Sequence, residues 1–239
     1  MITMSLAPAT LAAGQRVYAV GDVHGCAARL DTMHALIRED LAARPIAEPT
    51  LVRLGDYVDR GEDSAGVLAR LLQPWPVPPV PRIVNLMGNH EEMLLLAVEA
   101  ADGDSVAHWL SNGGANTLQS WGVSPRATPA DWIRLIPAEH LAFVRGLSLL
   151  HRQGGYVFVH AGLRPGLPID KQTREDMLWI REPFLSSKAE FPGVVVHGHT
   201  PGRAVTVRPN RIGIDTGAVM GGALTCAVLE ADRIGFLRA

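Results

Sequence analysis

The chain has 239 residues and a mass of 25.7 kDa, long enough to bury a full hydrophobic core. Apolar residues make up 47% and charged residues 19%, values that exclude a disordered, collagen-like or coiled-coil chain. The formal net charge of -2 offers no overall attraction for nucleic acid or an anionic membrane, and no apolar run approaches the ~20 residues of a membrane span.

The cysteines and the N-terminal residues both bear on the compartment. Cys26 and Cys226 are too few and too far apart for a disulfide framework or a thiolate zinc site. Residues 1–15 are alanine-rich, lack the positive n-region of a secretory signal and are interrupted by Pro8. We therefore expect a loose leader over residues 1–15 and a cytoplasmic protein with no membrane or nucleic-acid partner.

Apolar, β-rich runs alternate with helical patterns along much of the chain. Five runs predict strands that are buried on both faces: Arg16–Val20, Leu51–Leu54, Ile83–Met87, Tyr156–Val159 and Val194–Val196. Three segments after the first three runs have apolar residues at helical spacing: Ala27–Ala43, Ser64–Leu72 and Glu91–Ala100. Such alternation predicts an α/β sheet with helices on its faces.

The middle and the end of the chain have different patterns. Residues 101–153 are predicted to form a helical cover beside the sheet ends, with helix starts near Thr128 and at Pro137. Three later runs predict an antiparallel continuation without helices: Arg211–Ile214, Thr225–Glu230 and Arg233–Leu237. Because no linker or repeat divides the chain, residues 1–239 are expected to form one domain, a mixed sheet or two packed sheets flanked by helices.

A polar cluster follows each of the five β-rich runs. The clusters are Gly21–Gly25 (GDVHG), Gly55–Gly61 (GDYVDRG), Gly88–Glu91 (GNHE), His160–Gly162 (HAG) and His197–Thr200 (HGHT). Sites in open α/β sheets gather at the carboxyl ends of strands, so these clusters are expected to meet. Five of the nine histidines lie in them, and Asp, Asn and neutral His suit divalent ions without thiolate ligands.

Spacing limits which side chains can share an ion. Asp22 and His24 are two residues apart and point the same way in an extended chain, so both can reach one ion. Asn89 and His90 are adjacent and point in opposite directions, so only one of them is expected to be a ligand.

These motifs, in this order and spacing, resemble those of the phosphoprotein phosphatase branch of the calcineurin-like metallophosphoesterases. Further segments resemble the small bacterial and phage serine/threonine phosphatases: Cys26, His108–Gly114, Leu178–Glu182, His199–Pro201 and Ile214–Ala218. The likeness covers about residues 16–231. It implies the calcineurin-like fold, with a β-sandwich core of mixed sheets flanked by helices and a site at the carboxyl ends of the strands.

The resemblance implies two metal ions held by side chains from all five clusters. The implied ligands are Asp22, His24, Asp56, Asn89, His160 and His199, with Asp56 shared by both ions. Spacing does not choose between His197 and His199, but family members carry the ligand in the middle of Gly-His-Thr, which favours His199. The expected cofactors are two divalent ions, Mn²⁺ first, with Fe, Zn or Co as alternatives.

Four residues are implied to act on the substrate. Arg60 and Arg181 would bind phosphate oxygens, for which the planar and permanently charged guanidinium is suited. His90 would act as general acid, oriented by Asp59. Two dications outweigh two carboxylates and one hydroxide, so the centre would favour a phosphate dianion while the activated hydroxide attacks phosphorus in line.

These features favour a serine/threonine protein phosphatase that acts on phosphorylated protein or a small phosphoester. The alternative is a symmetric dinucleoside-tetraphosphate hydrolase or a nucleotide pyrophosphatase of the same superfamily. Asp59 and Glu91 favour the phosphatase, because the dinucleotide group tends to lack the first acid and to carry aspartate at the second position. Ala161 counts against it, because eukaryotic protein phosphatases carry glycine there. The complete set of expected ligands argues against a third hypothesis, a catalytically silent binding module.

Overall fold

A computed structural model describes residues 2–99 and 102–239. Within these residues, eleven strands form two mixed sheets and eight α-helices flank them. The strands are β1 (Ser5–Leu6), β2 (Gln15–Val20), β3 (Glu48–Arg53), β4 (Arg82–Asn85), β5 (Leu150–Gln153), β6 (Tyr156–Val159), β7 (Val194–His197), β8 (Thr206–Val207), β9 (Arg211–Gly213), β10 (Thr225–Glu230) and β11 (Arg233–Arg238). The predicted fold class is confirmed.

Each sheet contains three neighbouring parallel strands. The first sheet has the order β1-β11-β10-β2-β3-β4, in which β2, β3 and β4 are parallel and the other pairs are antiparallel. The second has the order β5-β6-β7-β9-β8, with β6, β7 and β9 parallel. The carboxyl ends of the parallel strands therefore face the same edge within each sheet.

Several of the helices begin at a residue whose side chain caps the first turn. They are α1 (Ala27–Ala43), α2 (Ser64–Leu72), α3 (Asn89–Glu99), α4 (Gly103–Trp109), α5 (Ala115–Ser120), α6 (Pro129–Leu135), α7 (Ala138–Arg145) and α8 (Arg174–Trp179). The Asp63 side chain caps α2, and Thr128 and Thr173 form reciprocal capping boxes at α6 and α8. Among the described residues, no helix combines the length and apolar character needed to cross a bilayer.

The strand pattern divides the core into two layers. Along β2, Val17 and Ala19 face the second sheet, whereas Tyr18 and Val20 face the helices. Alternate side chains of a strand point to opposite faces, so a continuous apolar run such as Val17–Val20 is needed where both faces are covered. The inter-sheet layer is the β-sandwich core, and the second layer lies under the helices that flank the first sheet.

A buried polar network joins α1 to the first sheet. Arg16 is 2% exposed; its Nε donates to Glu230 over 2.8 Å and its Nη1 donates to the Arg44 carbonyl over 2.6 Å. The Tyr18 hydroxyl donates to Asp40 Oδ2 over 2.6 Å, and Arg44 pairs with the same carboxylate over 2.7 Å. The buried guanidinium and carboxylate thus have polar partners, as burial in low dielectric requires.

The N-terminal segment differs from the predicted loose leader. Over residues 2–15, β1 pairs with β11, the Tyr156 hydroxyl donates to the Ala9 carbonyl over 2.6 Å, and Leu11 is buried between the sheets. Edge-strand pairing orders this segment, a tertiary contact that its alanine-rich composition does not reveal. Met1, the predicted helix end at Ala100 and the predicted cover start at Ala101 lie outside the described residues.

Candidate metal centre and active site

Five strand ends bring the predicted ligands together. Asp22 follows β2, Asp56 follows β3, and Asn89 begins α3 shortly after β4, all in the first sheet. His160 follows β6 and His199 follows β7, both in the second sheet. The site therefore lies where the carboxyl ends of the parallel strands of both sheets converge, as expected for α/β proteins.

Asp56 lies at the centre of the group. Its Oδ1 is 3.3 Å from His160 Nε2, and its Oδ2 is 3.4 Å from His24 Nε2 and 3.9 Å from His90 Nε2. Two sets of side chains come close enough to hold an ion each: His24, Asp56 and His90, and Asp56, His160 and His199. Asp56 belongs to both sets, the arrangement needed for a carboxylate shared by two ions.

The adjacent residues Asn89 and His90 contact different parts of this group. Asn89 Oδ1 lies 2.9 Å from His160 Nε2 and 3.0 Å from His199 Nδ1. The Nδ1 of His90 instead lies 2.7 Å from Asp59 Oδ2. Asn89 thus faces the second-sheet histidines, while His90 lies between Asp59 and Asp56.

The histidine rings have the protonation state that metal ligands require. Nδ1 of His24 lies 2.9 Å from the Val58 carbonyl, and Nδ1 of His160 lies 2.9 Å from the Leu54 carbonyl. A carbonyl only accepts, so each Nδ1 carries the proton and each Nε2 keeps its lone pair toward Asp56. Burial lowers the pKa of His24 to about 4 and that of His199 to about 3, so both rings are neutral at pH 7.

The charges of the site fit bound cations. Asp22 and Asp215 are buried close together, and burial followed by the charge of Asp215 raises the pKa of Asp22 well above its ordinary value. Burial raises the pKa of Asp215 to about 6. Within the described residues, the buried Asp22 Oδ1 has no hydrogen-bond partner. Oxygen and neutral imidazole donors with unused lone pairs are what divalent ions take up.

Several site residues have backbone conformations that side chains rarely adopt. Five non-glycine residues of the site have positive φ: His24 (44°), Asp56 (51°), Asp59 (71°), Arg60 (68°) and His199 (64°). Each such residue costs on the order of 1–3 kcal/mol unless its surroundings hold it in place. Part of that support comes from the Asp56 carbonyl, which accepts the N–H groups of Val23 and His24 over 3.0 and 2.8 Å.

Glu91 also holds the backbone of the loops that carry the site residues. The sequence alone assigned this residue no chemical role. Its carboxylate accepts four backbone N–H groups: Asp56 (2.8 Å), Tyr57 (2.7 Å), Val58 (3.2 Å) and Gly88 (2.9 Å). Burial and then the charge of Asp56 raise the pKa of Glu91 to about 7, and these donors oppose the rise. A Cβ at Gly88 would lie 2.1 Å from Asp56 Oδ1, so the close approach of the two loops requires glycine.

The arginines reach the site to different extents. Arg60 is exposed, and its Nη1 lies 3.0 Å from His24 Nε2. Arg181 is exposed just beyond α8, and its charge is among the causes, after burial and the neighbouring His160, that lower the pKa of His199. Arg164 instead donates to Asp176 over 2.9 Å. Two guanidinium groups are therefore available at the rim of the ligand group.

The structure separates the two histidines that spacing leaves open. His199 contacts Asn89 and belongs to the second ion set. His197 points away: its Nδ1 lies 3.1 Å from the Gly198 carbonyl, its Nε2 lies 3.2 Å from Arg211, and its ring packs edge-on against Phe184. His197 is a buried packing residue of the second sheet.

A comparison with family models identifies the family. The model described as calcineurin-like phosphoesterase matches residues 15–232. The chain belongs to this family. Its members use a dinuclear metal centre, and the paired His/Asp groups around Asp56 are where this family member could hold one.

Curated relatives of this family member include two kinds of enzyme. The chain is 32% identical over 232 residues to "Serine/threonine-protein phosphatase 1" of Salmonella typhimurium, which covers 90% of this chain and 93% of that protein. It is 34% identical over 149 residues to "Bis(5'-nucleosyl)-tetraphosphatase, symmetrical" of Methylococcus capsulatus, which covers 62% of this chain and 44% of that protein.

Solved structures with the same fold extend over nearly the whole chain. One, described as a candidate diadenosine tetraphosphatase, is 26% identical with a TM-score of 0.67 and covers 97% of this chain and 98% of its own. A cold-active protein tyrosine phosphatase is 18% identical with a TM-score of 0.64, and covers 96% of this chain and 81% of its own. At that identity the second likeness concerns the fold alone.

Proposed function

We propose that the protein is a metal-dependent phosphomonoesterase that acts on phosphoserine and phosphothreonine in proteins. The observation that carries this proposal is the buried pair of Asp59 and His90, 2.7 Å apart, with His90 Nε2 directed toward Asp56. A phosphomonoester of serine or threonine has a poor alkoxide leaving group, for which a positioned proton donor is most valuable. The Salmonella phosphatase, which matches along most of both chains, supports the same conclusion.

The proposed cofactors are two divalent ions, with Mn²⁺ as the first candidate. Asp22, whose buried Oδ1 has no partner among the described residues, would hold one ion with His24 and Asp56, and Asn89, His160 and His199 would complete the second with Asp56. His90 also lies close to His24 and Asp56, but its Nδ1 is held by Asp59, and we assign it to proton transfer. When bound, such ions polarise a phosphoryl oxygen and lower the pKa of water. The donor set contains no thiolate, which favours Mn, Fe, Co or Zn in oxygen and nitrogen coordination.

The chain's own side chains then perform three tasks on the substrate. Arg60 and Arg181 bind phosphate oxygens from the rim, where their charge opposes the charge that develops on those oxygens. His90 transfers its Nε2 proton to the oxygen of the departing serine or threonine, which leaves as a neutral hydroxyl. Asp59 accepts the Nδ1–H of the same ring and so keeps the proton-bearing Nε2 pointed inward.

A second candidate function is hydrolysis of symmetric dinucleoside tetraphosphates. It is favoured by the tetraphosphatase relative from Methylococcus capsulatus and by the structural likeness to a candidate diadenosine tetraphosphatase over 97% of this chain. The two functions share the metal centre and differ in the leaving group and in what surrounds the phosphate. Substrate preference is therefore the measurement that separates them.

The test is a substrate panel on protein that has been stripped of metal and refilled with Mn²⁺. We expect p-nitrophenyl phosphate to be hydrolysed, and phosphoserine and phosphothreonine peptides to have higher kcat/KM values than phosphotyrosine peptides or diadenosine tetraphosphate. A preference for diadenosine tetraphosphate would replace the first proposal by the second. Failure to hydrolyse any of these compounds with Mn²⁺, Co²⁺, Ni²⁺, Zn²⁺ or Fe²⁺ would refute both.

A further inference from the structure

The bend between α4 and α5 folds directly over the loop that follows β3. This bend, residues 109–117, belongs to the segment predicted only as a helical cover. At its centre Gly113 has φ 106°, outside the helical region, and its carbonyl accepts the N–H of Arg60 over 3.4 Å. A Cβ at Gly113 would lie 2.5 Å from Arg60 N, so this contact requires glycine.

Thr117 makes the most specific contact of the bend. Its Oγ1 accepts the backbone N–H of Asp59 over 2.8 Å and donates to Asp59 Oδ1 over 2.6 Å. Ser64 Oγ lies 3.0 Å from the same hydroxyl and accepts the Asp59 N–H over 3.1 Å. Thr117 is fully buried, and its hydroxyl holds Asp59 twice, with its proton on Oδ1 and with one lone pair on the backbone N–H.

Trp109 approaches the same carboxylate from the other end of the bend. Its indole Nε1–H lies 3.1 Å from both Oδ1 and Oδ2 of Asp59, and its ring is fully buried against Trp132. Three side-chain donors thus converge on Asp59: Trp109, Thr117 and His90. Two of these donors are distant in the chain, Trp109 by 50 residues and Thr117 by 58.

We propose that Thr117 and Trp109 are positioning residues that hold Asp59 in the orientation His90 needs for proton transfer. This inference rests on the proposed function, because it assigns a role within that reaction. The bend also holds the backbone of Arg60, the residue after Asp59, because Asn116 Nδ2 donates to the Arg60 carbonyl over 2.6 Å. The helical cover therefore helps to orient the Asp59–His90 pair that donates the proton.

The geometry indicates how loss of either donor would act. Asp59 and Arg60 both have positive φ, so their backbone relies on neighbours for its conformation. Asp59 Oδ2 is the atom that faces His90, and Oδ1 is the atom that Thr117 holds. Removing the Thr117 hydroxyl frees the carboxylate to rotate, which lowers the fraction of His90 rings aimed at the leaving oxygen and leaves the metal ligands in place.

The experiment compares two phenyl esters that differ in leaving-group basicity. Phenyl phosphate depends on proton donation more than p-nitrophenyl phosphate does, because its leaving group is the stronger base. For Thr117→Val we expect kcat to fall about 10-fold for phenyl phosphate, a fraction of the 10²–10⁴ that a general acid contributes, and less than about 3-fold for p-nitrophenyl phosphate. KM and metal content should match those of the wild type.

Three further variants isolate the effect. Thr117→Ser keeps the hydroxyl and should restore most of the lost rate. Thr128→Val removes a hydroxyl that caps α6 in the same cover segment, without contact to Asp59, and should leave both substrates at wild-type rates. In a His90→Asn background, Thr117→Val should change kcat less than about 2-fold, because a residue that acts through His90 has nothing left to position.

The outcomes separate this inference from the proposed function. Equal losses for both esters, or a further loss in the His90→Asn background, would show a general structural role and overturn the inference while the function stands. A wild-type enzyme that hydrolyses neither ester would overturn both. If Thr117→Val does not fold, Trp109→Phe, which keeps an aromatic ring but lacks the indole N–H, should show the same selective loss of kcat for phenyl phosphate. Wild-type kcat for both esters in Trp109→Phe would refute the inference.

Discussion

Replacing Glu91 by glutamine tests whether one buried carboxylate holds the two central loops in register. The two oxygens of Glu91 each accept two N–H groups, Oε1 from Tyr57 and Val58, and Oε2 from Asp56 and Gly88. Glutamine has a single acceptor oxygen, so in either orientation of its amide two N–H donors face an NH₂ group. A buried donor left without an acceptor costs about 1–3 kcal/mol, so the variant should lose about 2–6 kcal/mol of unfolding free energy.

Two measurements on Glu91→Gln address the fold and the site separately. Urea unfolding of the metal-free protein gives the loss of stability, and elemental analysis after dialysis against Mn²⁺ gives the metal content. Because Glu91 links the Asp56 loop to the turn before Asn89, we expect weaker Mn²⁺ retention as well as lower stability. Glu99→Gln on the same helix is the matched control, since Glu99 is exposed and forms a surface ion pair with Arg145.

The reasoning would be refuted by a Glu91→Gln protein that unfolds within about 1 kcal/mol of the wild type and retains the same two ions. Such a result would mean that the loops are held by other contacts. A loss in Glu99→Gln as large as that in Glu91→Gln would point instead to a general effect of charge on the helix.

Three more predictions concern the centre and the core. Asp56→Asn should abolish turnover and bound metal together, as shown by elemental analysis; activity with full metal content would contradict its shared position. His90→Asn should keep both ions and lose about 10²–10⁴ in kcat for phenyl phosphate, whereas an emptied metal site would make His90 a ligand. Asp40→Asn should lose about 3 kcal/mol at pH 7. Although burial alone would raise the pKa of Asp40, hydrogen bonds from Arg44 and Tyr18 outweigh it and lower that pKa. The Asp40 contribution is therefore full above the unfolded pKa of about 3.9 and lost as pH falls through the lower folded pKa, so the difference between the two proteins in urea unfolding should begin to shrink below pH ~4. A constant difference down to pH ~3 would contradict this assignment.

Local sequence patterns were enough to predict the parallel strands, several helices and the meeting of the polar clusters. The helix Ala27–Ala43 follows from its apolar spacing, and α6 begins at Pro129, beside the predicted start at Thr128. The polar clusters meet because the carboxyl ends of buried parallel strands share an edge, so their position along the chain is enough to predict a common site.

Contacts between distant parts of the chain could not be predicted from the sequence. Thr117 and Asp59 are 58 residues apart, and nothing in the threonine's neighbourhood indicates that its hydroxyl is buried on a carboxylate. Glu91 directly follows the Asn-His pair, which is a signal for an active-site role, but its partners are backbone groups that carry no sequence signature. The order of residues 2–15 likewise depends on β11, which lies at the other end of the chain.

The division of the ligands between the two sheets has a consequence for how the domain responds to force and to mutation. Asn89 follows a strand of the first sheet, while His160 and His199 follow strands of the second, and the Asn89 side chain meets the two rings across 2.9 and 3.0 Å. An ion held by all three would act as a cross-link between the layers, and by mass action its binding would add to the work needed to slide or part them. Conversely, a substitution in the β-sandwich core that shifted one sheet against the other would change the metal affinity, even though it lies far from any ligand.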